Sequence, residues 1–328
     1  MAETRRFSQS EMKVFTGCKR RWWLSEYRRL VPLGYDPTGA LRSGTRVHTA
    51  LEAFYTPGED PFTTLAEAQC ADWEAYALNC AERGEDPDAS VAEQFNKDCQ
   101  LEKIMLEGYG EWIAESGEDA GLETIAVEEI VTVSGSAFAP ELVAKYYAFD
   151  VVGKLDMRVR RESDGARKFV DHKTAASLTM ALPTLQMNVQ MKHYRWLESM
   201  TTPEGEQADG ALYNVLKKVK RTKAAKPPFF ARYEVNHNQE EINNYEKHMK
   251  RIIAQILELE AELAVTPIEE QPHVAYPTPD DSCSWKCQFY QLCGAFDDGS
   301  RAEDMIRDQF VTRDPLARYA EGDKPDAT

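Results

Sequence analysis

The sequence predicts a mixed α/β chain: helices first, then strands flanked by helices, then a cysteine-rich close. Three observations carry that prediction. Near residue 125 the apolar pattern changes from helical stripes to short alternating runs. Two alternating runs flank Asp164-Gly165, the strongest short hairpin signal. Ile242, Tyr245, Met249, Ile252, Ile256, Leu259 and Leu263 then recur at the spacing of one helix face.

Taken in order, residues 8–30 read as a helix, with Ser8 as cap and Glu11 three positions on. PLGYDPTGA (32–40) is a loop. Ser43 caps a second helix through Tyr55, with Val47, Leu51 and Phe54 on one stripe. Residues 63–117 read as two or three acidic amphipathic helices broken at GEDPDAS. Strands are expected at 125–133, 144–161, 166–174, 211–219 and 229–236, with helices at 182–200 and 240–263. The chain closes on EGDKPDAT, a polar ending of the kind that orders poorly. The segments expected are 1–62, N-terminal helices; 63–120, an acidic helical subdomain; 121–265, the sheet-bearing core; 266–300, the cysteine-rich segment; and 301–328, a polar tail.

With 328 residues, 42% hydrophobic and 29% charged, the chain suffices for one large domain or two ordinary ones. No run of 18 apolar residues exists, so no membrane span is expected. The opening MAETRRFSQSEMK lacks the apolar region of a signal peptide. A cytoplasmic chain with seven reduced cysteines is the expectation. The net charge of −16, taken alone, argues against a phosphate-coated partner. The charge is uneven, however. Residues 5–29 hold eight bases and two acids, 217–226 hold six bases and no acid, and 63–116 hold thirteen acids and three bases. Local basic tracts decide phosphate binding. Each tract alone equally fits a solvated face.

The most informative segment is GKLDMRVRRESDGARKFVDHKT, residues 153–174. A two-residue loop at Asp164-Gly165 sets Ser163 opposite Ala166 and Asp156 opposite Lys173. Asp171 then shares their face, and His172 points to the other. Hard divalent cations such as Mg²⁺ favour such carboxylates. A metal so held polarises a phosphoryl oxygen, and a nearby Lys stabilises developing charge. A cross-strand salt bridge on the surface fits the segment equally well. A three-residue loop would put Asp156 on the wrong face.

Asp156 followed by Asp171-His172-Lys173 resembles the D…(D/E)-x-K signature of the PD-(D/E)XK nuclease superfamily. Gln190 and Tyr194 in QMKHY, His48 in GTRVHTALEAFY and Glu128 in AVEEIV sharpen the resemblance towards its RecB-like branch, with Glu129 an alternative to Glu128. The resemblance implies a restriction-endonuclease-like core with a mixed central sheet flanked by helices. It implies Mg²⁺ or Mn²⁺ bound by Asp156, Asp171 and His48, with Lys173 as catalytic base or transition-state stabiliser and Glu128 as a further catalytic acid. Gln190 and Tyr194 would then position substrate. Arg20, Arg21, Lys217, Lys218, Lys220 and Arg221 are candidate DNA phosphate contacts, and Trp22 and Trp23 candidates for stacking on bases.

Near the chain end, CSWKCQFYQLC carries Cys283, Cys287 and Cys293. Thiolate clusters usually close with four ligands. Cys18, in the basic and aromatic FTGCKRRWWL, plus this triplet resembles the iron–sulfur RecB-like nucleases, which include CRISPR-associated exonucleases and AddB-type domains. The resemblance implies a 4Fe–4S cluster on these four cysteines, clasping the N- and C-terminal segments. The spacing C-x3-C-x5-C departs from the family's C-x2-C-x5-C. A Zn²⁺ site with four cysteine ligands is the alternative. Cys70, Cys80 and Cys99 sit at irregular spacing and read as incidental thiols.

The resemblance as a whole implies a metal-dependent DNA exonuclease acting on single strands or duplex ends. Recombination, repair or CRISPR-type processing, with matching protein partners, is the implied context, and a free-standing phage-encoded enzyme fits the length. The alternatives are a nuclease-like DNA-binding or scaffold subunit that no longer cuts, and an endonuclease of the same superfamily.

Overall fold

Cys18 splits the N-terminal helix that the sequence predicts. In the computed structural model, which describes residues 4–319, β1 (Arg5–Ser8) leads into α1 (Gln9–Gly17). Ser8 caps α1 as expected, its Oγ accepting from Glu11 N at 3.2 Å. At Cys18 the backbone is extended, with φ −159° and ψ 116°. The helix therefore stops, and the Cys18 sulfur itself caps α2 (Lys19–Trp22), accepting from Arg21 N at 3.5 Å. A π-helical turn (Trp23–Tyr27) and β2 (Leu30–Pro32) follow.

The next helix, α3 (Gly39–Tyr55), starts before Ser43, which lies buried inside it rather than capping it. The first N–H of α3 is satisfied from afar: Gly39 N donates to Asp98 Oδ2 at 3.0 Å. Two helices make up the acidic region. Asp60 caps α4 (Pro61–Glu82), with proline at its first position. Asp88 caps α5 (Ala89–Ser116), which ends at Gly117 with φ +68°.

The second half alternates. β3 (Leu122–Ser134) is followed by α6 (Gly135–Phe138), α7 (Pro140–Lys145) and β4 (Phe149–Arg161). Pro140 opens a helix, so β4 begins later than the expected residue 144. β5 (Arg167–Ala175), α8 (Leu182–Leu185) and α9 (Val189–Thr201) come next. Then follow β6 (Gly210–Lys217), β7 (Phe230–Asn236) and the long helix α10 (Gln239–Val265). The cysteine-rich close contributes α11 (Gln271–Val274), α12 (Cys283–Lys286), α13 (Tyr290–Ala295), α14 (Ala302–Gln309) and β8 (Phe310–Thr312). The ending EGDKPDAT lies outside the described residues.

The chain divides into two compact units drawn from discontinuous segments. One takes in residues through Gly34, Thr132–Gly153 and the chain from Glu240. In it β1 runs parallel to Phe149–Val152 of β4, and β2 runs antiparallel to β8. Trp22 and Trp23 are fully buried here; their indoles donate to Glu11 and Gln271, each at 3.0 Å.

The other unit takes in Tyr35–Val131 and Lys154–Gln239. Its sheet is mixed. β4 pairs with β3 and runs antiparallel to β5, β5 runs parallel to β6, and β6 antiparallel to β7. The parallel step needs a crossover, which α8 and α9 supply. Val47, Leu51, Met105, Leu106 and Tyr109 of α3 and α5 pack on Leu216 and Phe230 of the sheet. This is a mixed α/β fold with a central sheet flanked by helices, as a restriction-endonuclease-like core requires.

Inside the helical layer, Arg46 is buried between Glu102, whose Oε1 lies 2.7 Å from Nη2, and Asp72. Removing one partner of such a pair leaves a charge without water or counter-ion. Glu102→Ala should therefore cost about 3–5 kcal/mol in urea unfolding, and Arg46→Met with Glu102→Leu should recover most of it. Equal losses in the single and double variants would show that packing, not charge, is what matters there.

Candidate active site

The β4–β5 hairpin differs from the expected register by two residues. Arg161 N donates to Ala166 O at 2.8 Å, so the loop is 162–165, closed by Gly165 in the left-handed region at φ +74°. The ladder pairs Arg160 with Arg167 and ends at Met157 with Val170. One step further, Asp156 stands level with Asp171 rather than with Lys173. Side-chain direction has period two, so this correction leaves all three residues on the intended face.

Beyond Met157 the two strands part. The next N–H, that of His172, is taken by a side chain: Asp156 Oδ2 accepts it at 2.8 Å. His48, one face of α3, brings Nδ1 to 3.4 Å from the same oxygen. Lys173 Nζ lies 2.7 Å from both Asp171 oxygens. Its aligned hydrogen bond goes to Oδ1, and the buried Oδ2 has no aligned partner. Glu128 pairs with Lys154, which precedes Asp156 by two on β4. Glu128 itself sits at φ +53°, a strained backbone for a non-glycine. Glu129 turns instead to Arg158, at 3.1 Å. So His48, Asp156, Asp171 and Lys173 are brought together, with Glu128 beside them through Lys154.

Burial dominates the electrostatics. It pushes Asp171 up to about 6 against the pull of Lys173, and raises Asp156 the same way. It pushes Glu128 up to about 7, opposed by Lys154. It lowers His48 to about 4, helped by Lys173, so the imidazole is neutral at pH 7 and able to ligate. Burial works to lower Lys173 too, but Asp171 and Asp156 outweigh it and hold the ammonium above its ordinary value.

Among the described residues, no group of three or more Asp, Glu, His or Cys side chains is gathered so that it could hold a metal ion. Mg²⁺ and Mn²⁺ do not need one; such ions keep several waters and take one or two carboxylates. The Asp171 and Asp156 carboxylates and the neutral His48 have the donor chemistry such an ion takes, with Lys173 now occupying the Asp171 oxygens.

Other expected residues land differently. Gln190 and Tyr194 do share one face of α9, but Gln190 Nε2 donates to Tyr194 OH at 2.7 Å. Tyr194 is 7% exposed and meets Phe169 edge-on, the ring two residues before Asp171. Arg20 is no phosphate contact: it is 2% exposed and bound to Asp297 at 2.7 Å. Trp22 and Trp23 are no stacking platform, because both are core. Arg21 is exposed. Of the second basic tract, Lys220 is exposed and Lys217 half-buried; Lys218 donates to Ala40 O at 2.6 Å, and Arg221 pairs with Glu111.

Cys18, Cys283, Cys287 and Cys293 fall in one unit. Burial raises Cys287, with Cys18 and Cys283 adding to it, and raises Cys293, with Cys18 adding. Three of the sulfurs accept N–H groups. Cys18 takes Arg21 N and Thr278 N, both at 3.5 Å, Cys283 takes Asp280 N at 3.3 Å, and Cys293 faces Arg20 Nη1 at 3.8 Å. Such bonds suit thiolate sulfur. Cys70 is exposed, Cys80 buried and Cys99 half-buried, each among the acidic helices.

The sequence reading passed over Lys154 and Glu52, although both carried a signal. Lys154 shares the face of Asp156 by period two, and Glu52 lies one helical turn after His48. The Glu52 charge also raises Glu128.

No curated protein matches the chain. The family model of the PD-(D/E)XK nuclease superfamily matches residues 6–294, which takes in both units, the parted hairpin and the four cysteines. The chain therefore belongs to the PD-(D/E)XK nuclease superfamily.

Proposed function

We propose that this chain is a Mg²⁺- or Mn²⁺-dependent DNA exonuclease that hydrolyses phosphodiester bonds at single-stranded or duplex ends. The observation that carries the reading is the parted hairpin, where Asp156, Asp171, His48 and Lys173 meet. When bound, the ion supplies Lewis acidity at a phosphoryl oxygen. Asp156, Asp171 and neutral His48 would hold it. Lys173 is a charged donor rather than a base, since its neighbours keep it protonated. It stands beside Asp171 to meet the charge that develops on the phosphate. Gln190 and Tyr194 act through each other to brace the Phe169–Lys173 strand. Arg21, and Lys220, Lys223 and Lys226 of the 217–226 tract, are exposed bases able to meet phosphates.

The same reading assigns Cys18, Cys283, Cys287 and Cys293 to a 4Fe–4S cluster, supported by the N–H groups aimed at three of the sulfurs. Zn²⁺ is the competing occupant. An anaerobic preparation should contain iron and acid-labile sulfide and lose both in Cys18→Ala. Stoichiometric zinc without iron would overturn the assignment.

Catalysis is tested on end-labelled linear and closed circular single-stranded DNA with Mg²⁺ or Mn²⁺. Linear DNA should be degraded and circles spared, and Lys173→Ala should lower kcat by about 10²–10³. Wild-type cutting by Lys173→Ala would end the catalytic reading, and cutting of circles would move it to an endonuclease.

The buried acids also predict a pH signature. Asp171 is charged above about pH 6 in the folded chain, but already above about pH 4 when unfolded. Its burial therefore costs stability as pH rises through that window, and costs none below it. Asp171→Asn removes that cost but also the counter-ion of Lys173, so the expected signature is in the slope: the variant's Tm should fall less between pH 4 and pH 8 than the wild type's does, and cutting should be lost. Mn²⁺ should raise the wild-type Tm at pH 8 but not that of the variant. An Asp171→Asn variant whose Tm falls between pH 4 and pH 8 as steeply as the wild type's would contradict the assignment of a buried, costly carboxylate.

A further inference from the structure

Behind the D-x-K strand, three polar side chains stand abreast across three strands. The register pairs His172 of β5 with Asn214 of β6, and Asn214 with Arg232 of β7. All three are buried or nearly so, with Asn214 and His172 at 0% and 3% exposure. Their hydrogen bonds have a direction that can be worked out from one end. Arg232 is held by Asp119 Oδ1 at 2.6 Å and Glu118 O at 3.0 Å. Guanidinium only donates, so the oxygen of Asn214, 3.3 Å from Arg232 Nε, must face it. The Asn214 amide nitrogen then faces the other way, 2.8 Å from His172 Nδ1 and 3.0 Å from Tyr109 OH. An amide NH₂ only donates, so His172 Nδ1 accepts and the ring proton sits on Nε2.

The tyrosines close the circuit. Tyr109 OH receives from Asn214 and from Arg232 Nη2, the latter at 3.1 Å, so its own proton goes to Tyr55 OH at 2.6 Å. Tyr55 donates in turn to Asp119 Oδ2 at 2.8 Å. Both hydrogens and the oxygen of Asn214 are used. The ring so fixed stacks on Tyr55 with centroids 5.7 Å apart, and meets the His48 ring edge-on at 6.3 Å. The backbone N–H of the same residue is the one held by Asp156.

We propose that His172 is a positioning residue for the metal-binding groups, its ring orientation set from Asp119 through Arg232 and Asn214. It touches the site at two points: its N–H holds the Asp156 carboxylate, and its ring backs His48. The row also locks the roll of β5, so that Asp171 and Lys173 face the opposite side. This rests on the metal-site reading above, but its tests do not need cutting.

Asn214→Asp keeps the shape of Asn214 and removes the N–H that faces His172. In metal-free wild type, long-range ¹H–¹⁵N spectra should show His172 protonated on Nε2. In Asn214→Asp the proton should appear on Nδ1. Mn²⁺ binding, measured by calorimetry without DNA, should weaken by about 10–100-fold in the variant, with Tm changed far less than a lost fold would require. His172→Gln, which keeps the backbone N–H but removes the ring behind His48, should weaken Mn²⁺ at least as much as Asn214→Asp does. A wild-type Nδ1–H tautomer overturns the proposal whether or not the variants fold, and so does a folded Asn214→Asp that binds Mn²⁺ within about twofold of wild type. If Lys173→Ala cuts normally, the catalytic reading fails while the tautomer and Mn²⁺ results still decide the role of this row.

Discussion

One hydrogen bond organises the end of the sheet where the candidate site lies. Where β4 and β5 part after Met157 and Val170, the N–H of His172 loses its strand partner. Asp156 Oδ2 replaces it at 2.8 Å. A buried N–H without an acceptor is costly, so a carboxylate is drawn to that point and fixed there. Beside it, the buried Asp171 Oδ2 lies 2.7 Å from Lys173 Nζ without an aligned hydrogen bond. His48 reaches the same Asp156 oxygen from α3. Remove the gap in the ladder and neither carboxylate has a reason to be where it is.

Gathering these groups works against stability. Asp156, Asp171 and Glu128 are all raised by burial, and each is offset by a lysine that does not fully cancel the cost. Elsewhere in the same unit a buried charge is treated differently. Arg46 is matched by Glu102 and Asp72 with good geometry, and Arg232 by Asp119. The contrast separates scaffold from site. Scaffold charges are paired off; the site's carboxylates keep unmatched capacity, which is what a cation or a developing phosphate charge requires.

Much of this was legible from residue order. The acids of the hairpin were assigned to the right face despite a register wrong by two, because a slip of two preserves direction. The turn was misjudged because Asp164-Gly165 is a two-residue signal, while here Gly165 N bonds back to Arg161 and closes a longer loop. The caps at Ser8 and the break at GEDPDAS follow from local chemistry and were readable. Ser43 was not, because α3 takes its first acceptor from Asp98, far away in sequence. Arg20, Trp22 and Trp23 looked like a nucleic-acid surface by composition. Their partners, Asp297, Glu11 and Gln271, make them interior, and two of those partners lie more than two hundred residues away in sequence.

The middle letter of D-x-K shows the limit most clearly. In a motif it is a free position, since alternation turns it away from the chemistry. Turning away from one face means turning towards the other, and the other face of this sheet is buried under α3 and α5. There His172 must find a partner or pay the full desolvation of an imidazole. The parallel pairing of β5 with β6 supplies Asn214, and the antiparallel pairing of β6 with β7 supplies Arg232. Neither pairing can be inferred from local pattern, because one joins residues 42 positions apart, across α8 and α9, and the other residues 18 apart, across irregular chain. Yet the chemistry face is only as well defined as the face behind it. A strand that rolls or slips moves Asp171 and Lys173 together with His172. A polar row whose hydrogen bonds are assigned from Asp119 through Arg232 and Asn214 to His172 Nδ1 resists that motion in a way that an apolar packing of the same volume does not, because those bonds are satisfied in one arrangement alone.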